Sequence, residues 1–227
     1  MATLDVLSLA EAKAAIGQDT TSDDATLPPV ITAVSLALDE GAGPIVVRTL
    51  TDEVYDGGQT DIQLAQWPVT SITSVTEYDG TTAQVLTAET NASKPVYGYR
   101  TEPYRGQPTG LLGPTVIRRG SGADARFPAD RSNVVVTYVA GRFATTSAVS
   151  ELFKEAARIT LMHWWRTREQ GTFEVVLDGG DGFEVPRSNF PRWAVPNAAK
   201  ELLGSEWQAG LDQGDGNAGS GPVLYDV

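Results

Sequence analysis

Val149-Ser-Glu-Leu-Phe-Lys-Glu-Ala-Ala-Arg-Ile-Thr-Leu-Met-His-Trp-Trp-Arg-Thr-Arg-Glu-Gln170 is the longest helix-patterned stretch of the chain, and Gly171 ends it. Ser147 or Ser150 is placed to cap it. Two neighbouring rows, Leu152/Ala156/Ile159/His163 and Phe153/Ala157/Thr160/Trp164, give a broad apolar face. The spacing therefore predicts a helix over 149–170 at the centre of a core, with Leu152, Phe153, Ile159, His163, Trp164 and Trp165 in core or subunit packing. Adjacent positions on a helix point about 100° apart, so one tryptophan is expected in the core and the other at a subunit contact.

Toward the amino end, Ser8-Leu-Ala-Glu11 reads as a capping box and Gly17 as a stop, predicting a helix over 9–16. Thr21-Ser-Asp-Asp24 suits a helix amino end, and Leu27, Ile31, Val34 and Leu38 form one apolar face of a second helix over about 27–40. Pro28 and Pro29 fit only its first turn, where their missing N–H groups have no partner to lose. Pro196-Asn-Ala-Ala-Lys-Glu-Leu-Leu203 predicts a short helix over 196–203.

Between these helices the period changes to two. Ile45–Tyr55 is rich in β-branched residues and ends at Asp56-Gly57-Gly58, and Asp61–Leu64, Ile72–Tyr78 and Val85-Leu86 are further short strands. Asp79-Gly80 marks a tight hairpin, and Asn133–Gly141 reads as a buried strand because both alternating sets are largely apolar. The β element thus covers about 45–86 and 133–139. Residues 91–131 hold five prolines, six glycines and six arginines against three acidic side chains. That composition predicts a loop insertion with a brief strand at Thr115–Ile117. Its cations Arg100, Arg105, Arg118, Arg119, Arg126 and Arg131 serve either as a solvated surface or as a loop that docks an acidic protein. Thr172–Leu177 is one more candidate strand.

The fold class that follows is α+β and mainly helical: a small helical bundle with an inserted antiparallel β element and a flexible C-terminal tail. Residues 1–204 form the domain and 205–227 the tail. Trp207, Leu211, Val223, Leu224 and Tyr225 stand among glycines there, too sparse for a core but suited to a partner's groove. An inert linker is the alternative.

Charge and composition narrow the function. The chain has 227 residues, 17 Lys+Arg against 29 Asp+Glu, a net charge of −12 and no cysteine. Thiol nucleophiles, disulfides and cysteine metal sites are excluded. The acidic balance opposes binding by phosphate neutralisation, and no stretch reaches the ~18 apolar residues that span a bilayer. The lone His163 lies mid-helix with no serine or cysteine motif around it, so packing explains it better than catalysis. Asp178-Gly-Gly-Asp181 lacks the ligand series of an EF-hand and reads as a turn. Asp52/Glu53 and Glu77/Asp79 are the conceivable acid-base pairs, each in a polar strand edge or turn. Trp164-Trp165 with Arg166 and Arg168 is a conceivable stacking platform. No catalytic residue, metal ligand or cofactor site is assigned.

The order of the pieces resembles the head-tail connector (adaptor, head-completion) family of long-tailed bacteriophages. The features that carry the resemblance are Leu9–Ile16, Ser22-Asp-Asp24 leading into Leu27, Ile31 and Leu38, and Trp67-Pro-Val69 with Ile72–Val75 and Tyr78-Asp-Gly80. Val134–Tyr138 with Gly141, the helix ending Trp164-Trp-Arg166-Thr-Arg168-Glu169, and Val195-Pro196 with Ala199–Leu203 complete the series. It covers 4–86 and 132–204; Pro28-Pro29, the 91–131 insertion and the segment after Leu203 depart from it. The resemblance implies a structural virion protein, not an enzyme. It implies a homo-oligomeric, dodecameric ring between the portal protein and a head-tail stopper or tail-completion protein, with double-stranded DNA passing through without specific binding, and with the portal as the partner that the tail residues Trp207, Leu211, Val223, Leu224 and Tyr225 bind. Its place would be the virion neck, after assembly in the host cytoplasm, with no membrane contact. A ligand- or carbohydrate-binding module and a carboxylate-based hydrolase are the rival readings.

Overall fold

The computed structural model describes residues 4–103, 111–169 and 194–207. The chain divides into two compact units, Met1–Leu38 with Thr145–Ser205, and Asp39–Ala144 with Glu206–Val227.

The first unit is helical. In α1 (Leu9–Ile16) the Ser8 hydroxyl accepts the Glu11 N–H and the Glu11 carboxylate accepts the Ser8 N–H at 2.8 Å, while Gly17 stops the helix at φ 72°. Helix α2 (Leu27–Ala42) opens on Leu27, Pro28 and Pro29, with Leu27, Ile31, Val34 and Leu38 on its buried face. A 3-10 turn at Thr146–Ala148 leads to α3 (Glu151–Glu169), and α4 (Asn197–Leu203) packs on α3. Lys154 is buried in α3 because its Nζ meets Glu11 Oε1 at 2.7 Å, which ties α1 to α3. Phe153, Ala156, Ala157, Leu161, Trp164 and Trp165 fill the core beside it.

The second unit overturns the expected fold class. It is one eight-stranded sheet, so the protein is mainly β with a barrel-like core rather than a mainly helical bundle. The strands are β1 (Arg48–Tyr55), β2 (Asp61–Gln63), β3 (Val69–Asp79), β4 (Thr82–Ala88), β5 (Gly98–Pro103), β6 (Leu112–Gly120), β7 (Ala123–Asp124) and β8 (Val134–Ala140). Their order is β1-β8-β3-β4-β5-β6-β2, with β7 on β6, and a β3–β6 pairing at Val69 and Leu112 draws the sheet into a closed circuit. Ile62, Leu64, Val69, Val75, Leu86, Val116, Phe127, Val134, Val136 and Tyr138 fill its interior.

Strands β5, β6 and β7 occupy the stretch expected as a loop insertion, and the brief strand expected at Thr115–Ile117 is the middle of β6. Pro114 is tolerated because its carbonyl, not an N–H, is what the ladder uses: it accepts from Leu64 N at 2.8 Å. Ser121 and Gly122 both have positive φ, 51° and 87°, and join β6 to β7 as a two-residue hairpin. The β3–β4 hairpin turns on Gly80 and Thr81, with Gly80 at φ 57°; Asp79 is paired with Thr82 rather than in the loop.

Candidate functional site

Neither of the two carboxylate pairs singled out in the sequence is brought together as a pair: a bulge sets Asp52 apart from Glu53, and Glu77 is buried where Asp79 is exposed. In β1 the register shifts between Leu50 and Glu53, and Asp52 takes φ 54°. Its N–H donates to Thr137 Oγ1 at 3.1 Å. This bulge turns Glu53 inward, where its Oε2 accepts the hydroxyls of Tyr55 at 2.5 Å and Tyr138 at 2.8 Å. Each phenol oxygen in turn accepts a backbone N–H, Tyr55 from Ala65 at 3.0 Å and Tyr138 from Gln66 at 3.0 Å. Burial, reinforced by Glu53, pushes the Tyr55 hydroxyl up to about 12 and raises Tyr138 as well. The group is a clamp that fastens the segment after β2 to β1 and β8. With its oxygen held by two donors, Glu53 is not poised to take a proton from a substrate.

Glu77 is buried on β3 and its two oxygens accept Nε and Nη2 of Arg118, each at 2.8 Å. Asp79, at the end of the same strand, is exposed. Neither pair forms an acid-base couple; Glu53 and Glu77 are committed to structural contacts.

The six arginines divide. Arg118 and Arg119 are buried and do not belong to a docking loop, which corrects their expected placement. Arg118 pairs with Glu77 and lies 5.6 Å from the centre of the Tyr97 ring. Arg119 Nε meets Glu89 Oε2 at 3.0 Å, and Asp124 takes another of its nitrogens. Lys94 binds the same Glu89 at 2.8 Å, and together the two cations hold that carboxyl down to about 2. Arg100, Arg126 and Arg131 are exposed, Arg126 reaching Gly58 O at 3.4 Å. Arg105 lies outside the described residues.

On α3, Phe153, Trp164 and Trp165 are buried, Ile159 is half-buried, and Leu152 and His163 are exposed. Both tryptophans are in the unit's own core, which corrects the expectation that one would face a neighbour. Trp164 Nε1 donates to Ala194 O at 3.0 Å, and the Arg168 guanidinium lies 5.7 Å from the Trp165 ring. Exposed His163, beside exposed Arg166, is not a core histidine.

Trp207 is not part of a free tail: residues 205–207 are helical and its ring lies against Gly41, while Glu206 pairs with Arg142 at 3.0 Å. Leu211, Val223, Leu224 and Tyr225 lie outside the described residues, as do Asp178, Asp181 and the strand expected over 172–177. Among the described residues no cluster of three metal-ligating side chains occurs, and no helix is long and apolar enough to cross a membrane.

One surface escaped the sequence reading. Val54 pairs with Val135, Val135 with Thr76, and Thr76 with Val85, so these four side chains form one row on the outer face of β1, β8, β3 and β4. Val54 is 52% and Val85 60% exposed, and Tyr78 flanks the row. Strand β8 itself is buried as its apolar sequence predicts, with Val135 and Val139 half-buried and no exposed residue; the exposed members of the row are Val54 and Val85 on the neighbouring strands.

No family model matches the chain, and no curated protein does. Among solved structures, the chain is similar to one in the neck of an empty gene transfer agent particle computed with C6 symmetry. The identity is 15% and the TM-score 0.48, over 89% of this chain and 92% of that one. A chain in the virion of a native gene transfer agent particle is 16% identical with a TM-score of 0.44, over 87% of this chain and 89% of the other.

Proposed function

We propose that the chain is a structural protein of a phage-like neck, a subunit of a ring beneath the portal that joins the DNA-filled head to the tail and continues the DNA channel. The observation that carries this reading is the ordered series of motifs over 4–86 and 132–204, which resembles the connector family in its order. The chemistry of the fold is compatible with it: Glu53, Glu77 and Glu89 are each spent on internal bonds. The portal protein lies on one side of such a ring, a stopper or tail-completion protein on the other, and the ring is built from copies of this chain.

The rival readings lose their footing residue by residue. Of the tryptophans on which a carbohydrate platform would rest, the described ones do not present free faces: Trp164 and Trp165 are buried, Trp67 is half-buried and Trp207 lies on Gly41. A carboxylate hydrolase would need two carboxylates facing one reacting bond, and neither candidate pair does so.

A cyclic ring requires a heterologous interface that closes only at the right rotation, and the portal supplies that template. The isolated protein is therefore a monomer or weak oligomer that closes into a ring on the portal. Multi-angle light scattering with and without purified portal tests this. A chain that remains monomeric on a portal competent for tail attachment refutes the reading.

A further inference from the structure

We propose that the outer face of β1, β8, β3 and β4 is a contact surface for a second copy of this chain. Strand pairing sets the side chains of this face in rows. Beside the row from Val54 to Val85 run two more, Thr49–Val139–Ser71 and Tyr78–Ala83. None of these residues carries a charge. Asp52, in the β1 bulge, is tied down where its carboxylate accepts the Thr137 hydroxyl at 3.2 Å.

The other strands differ. Strand β2 presents exposed Asp61, β5 exposed Arg100 and Glu102, and β7 exposed Asp124. The solvated face of an antiparallel sheet is ordinarily polar. A four-strand face whose rows hold no charge, with Val54 and Val85 each more than half exposed, has instead the composition of a surface that another protein covers.

Charge decides the occupant. The chain carries a net charge of −12, so two copies repel, and the repulsion is weakest where the meeting surface is uncharged. A basic partner is drawn to acidic surface and gains nothing from this face.

Size sets the strength. Four strands ~4.8 Å apart over the seven residues of β8 project to about 450 Å², roughly half of the ~800 Å² per partner of a stable interface. A self-contact of that size is weak in the free protein and holds once copies are gathered. That the face serves as one of two subunit surfaces in a ring rests on the neck reading; the contact itself is tested with no neck protein present.

Sedimentation equilibrium of the full-length protein is the test. The native chain self-associates weakly, and more tightly as salt rises from ~0.1 M to ~1 M, because screening shortens from ~10 Å to ~3 Å and the like charges of the two copies no longer oppose an uncharged contact. Val54→Glu combined with Val85→Glu weakens association at least about tenfold, since unpaired charges are forced into the contact. Leu36→Glu, at an equally exposed apolar site on α2, leaves it unchanged. The chain has no cysteine, so Val85→Cys carries a single thiol. A maleimide modifies that thiol in dilute protein and is excluded as the protein concentration rises. No self-association at any attainable concentration, association that weakens with salt, or equal association of the native chain and the Val54/Val85 variant overturns the proposal. A thiol shielded at every concentration assigns the face to the chain's own residues, and one shielded only with added portal protein assigns it to that partner; either result overturns it too.

Discussion

Glu77 and Arg118, 41 residues apart in sequence, meet through two parallel hydrogen bonds of 2.8 Å with both side chains buried. Such a forked contact ties β3 to β6, which pair directly only at Val69 and Leu112, and a shift of one residue in either strand would send its side chain to the other face. Removing one partner leaves an unpaired buried charge, which costs about 3–5 kcal/mol. Glu77→Ala and Arg118→Ala should each lower the unfolding free energy by that amount, whereas Glu77→Leu combined with Arg118→Met should recover most of it. A double-mutant cycle from urea melts measures the coupling.

Acid should loosen the protein in a defined window. Glu89 is held down to about 2 by Arg119 and Lys94. Burial raises Glu11, but Lys154 and Ser8 outweigh it and bring Glu11 to about 2 as well. Both are ordinarily near 4.5. Depressed carboxylates stabilise the folded chain above the ordinary value, and that stability is lost as the pH falls from about 4.5 toward about 2. The urea midpoint of the native protein should fall across this window, and Glu11→Gln and Glu89→Gln should each flatten the fall while starting lower at neutral pH.

Gly41 and Trp207 form a matched pair. A Cβ at Gly41 would collide with the Trp207 ring. Gly41→Ala should therefore destabilise by about 1–3 kcal/mol through overpacking. In a Trp207→Ala background the same change should stabilise by up to about 1 kcal/mol, since alanine is the better helix former. The change of sign on removing the ring is read from thermal melts.

The ends of α1 are written locally, in Ser8, Glu11 and Gly17, and local signals survive in a sequence. The barrel is not local. Arg118 and Arg119 look like solvated loop cations until Glu77 and Glu89 are placed beside them. Pro114 looks like a strand breaker until its carbonyl is seen to be the group in use. Those long-range partners concealed β5, β7 and most of β6, of which only Thr115–Ile117 was legible, and with them the extent of the sheet. The candidate site was hidden for a related reason: the row from Val54 to Val85 exists only once four strands are in register.

Duplex DNA should pass this protein without being held. The chain is acidic, and the two most central arginines of its basic stretch are already paired inside the fold. Each lysine or arginine engaged with phosphate adds affinity that would have to be broken as DNA moves. The isolated protein should show no appreciable binding to duplex DNA at ~0.15 M salt, where charges beyond ~8 Å are screened. A filter-binding titration across a salt series checks this. Tight binding with a steep salt slope, abolished by neutralising Arg100, Arg126 and Arg131, would place those exposed cations on the channel wall.

The central claim is a place in a particle, and imaging reads it directly. Cryo-electron microscopy of heads purified before tail attachment, from a host that produces this chain, should show a ring of this fold directly below the portal. Heads from which the chain has been deleted should lack the ring and fail to join tails. Tailed, DNA-filled particles assembled without the chain, or a portal whose lower face carries no density for it, would contradict the account.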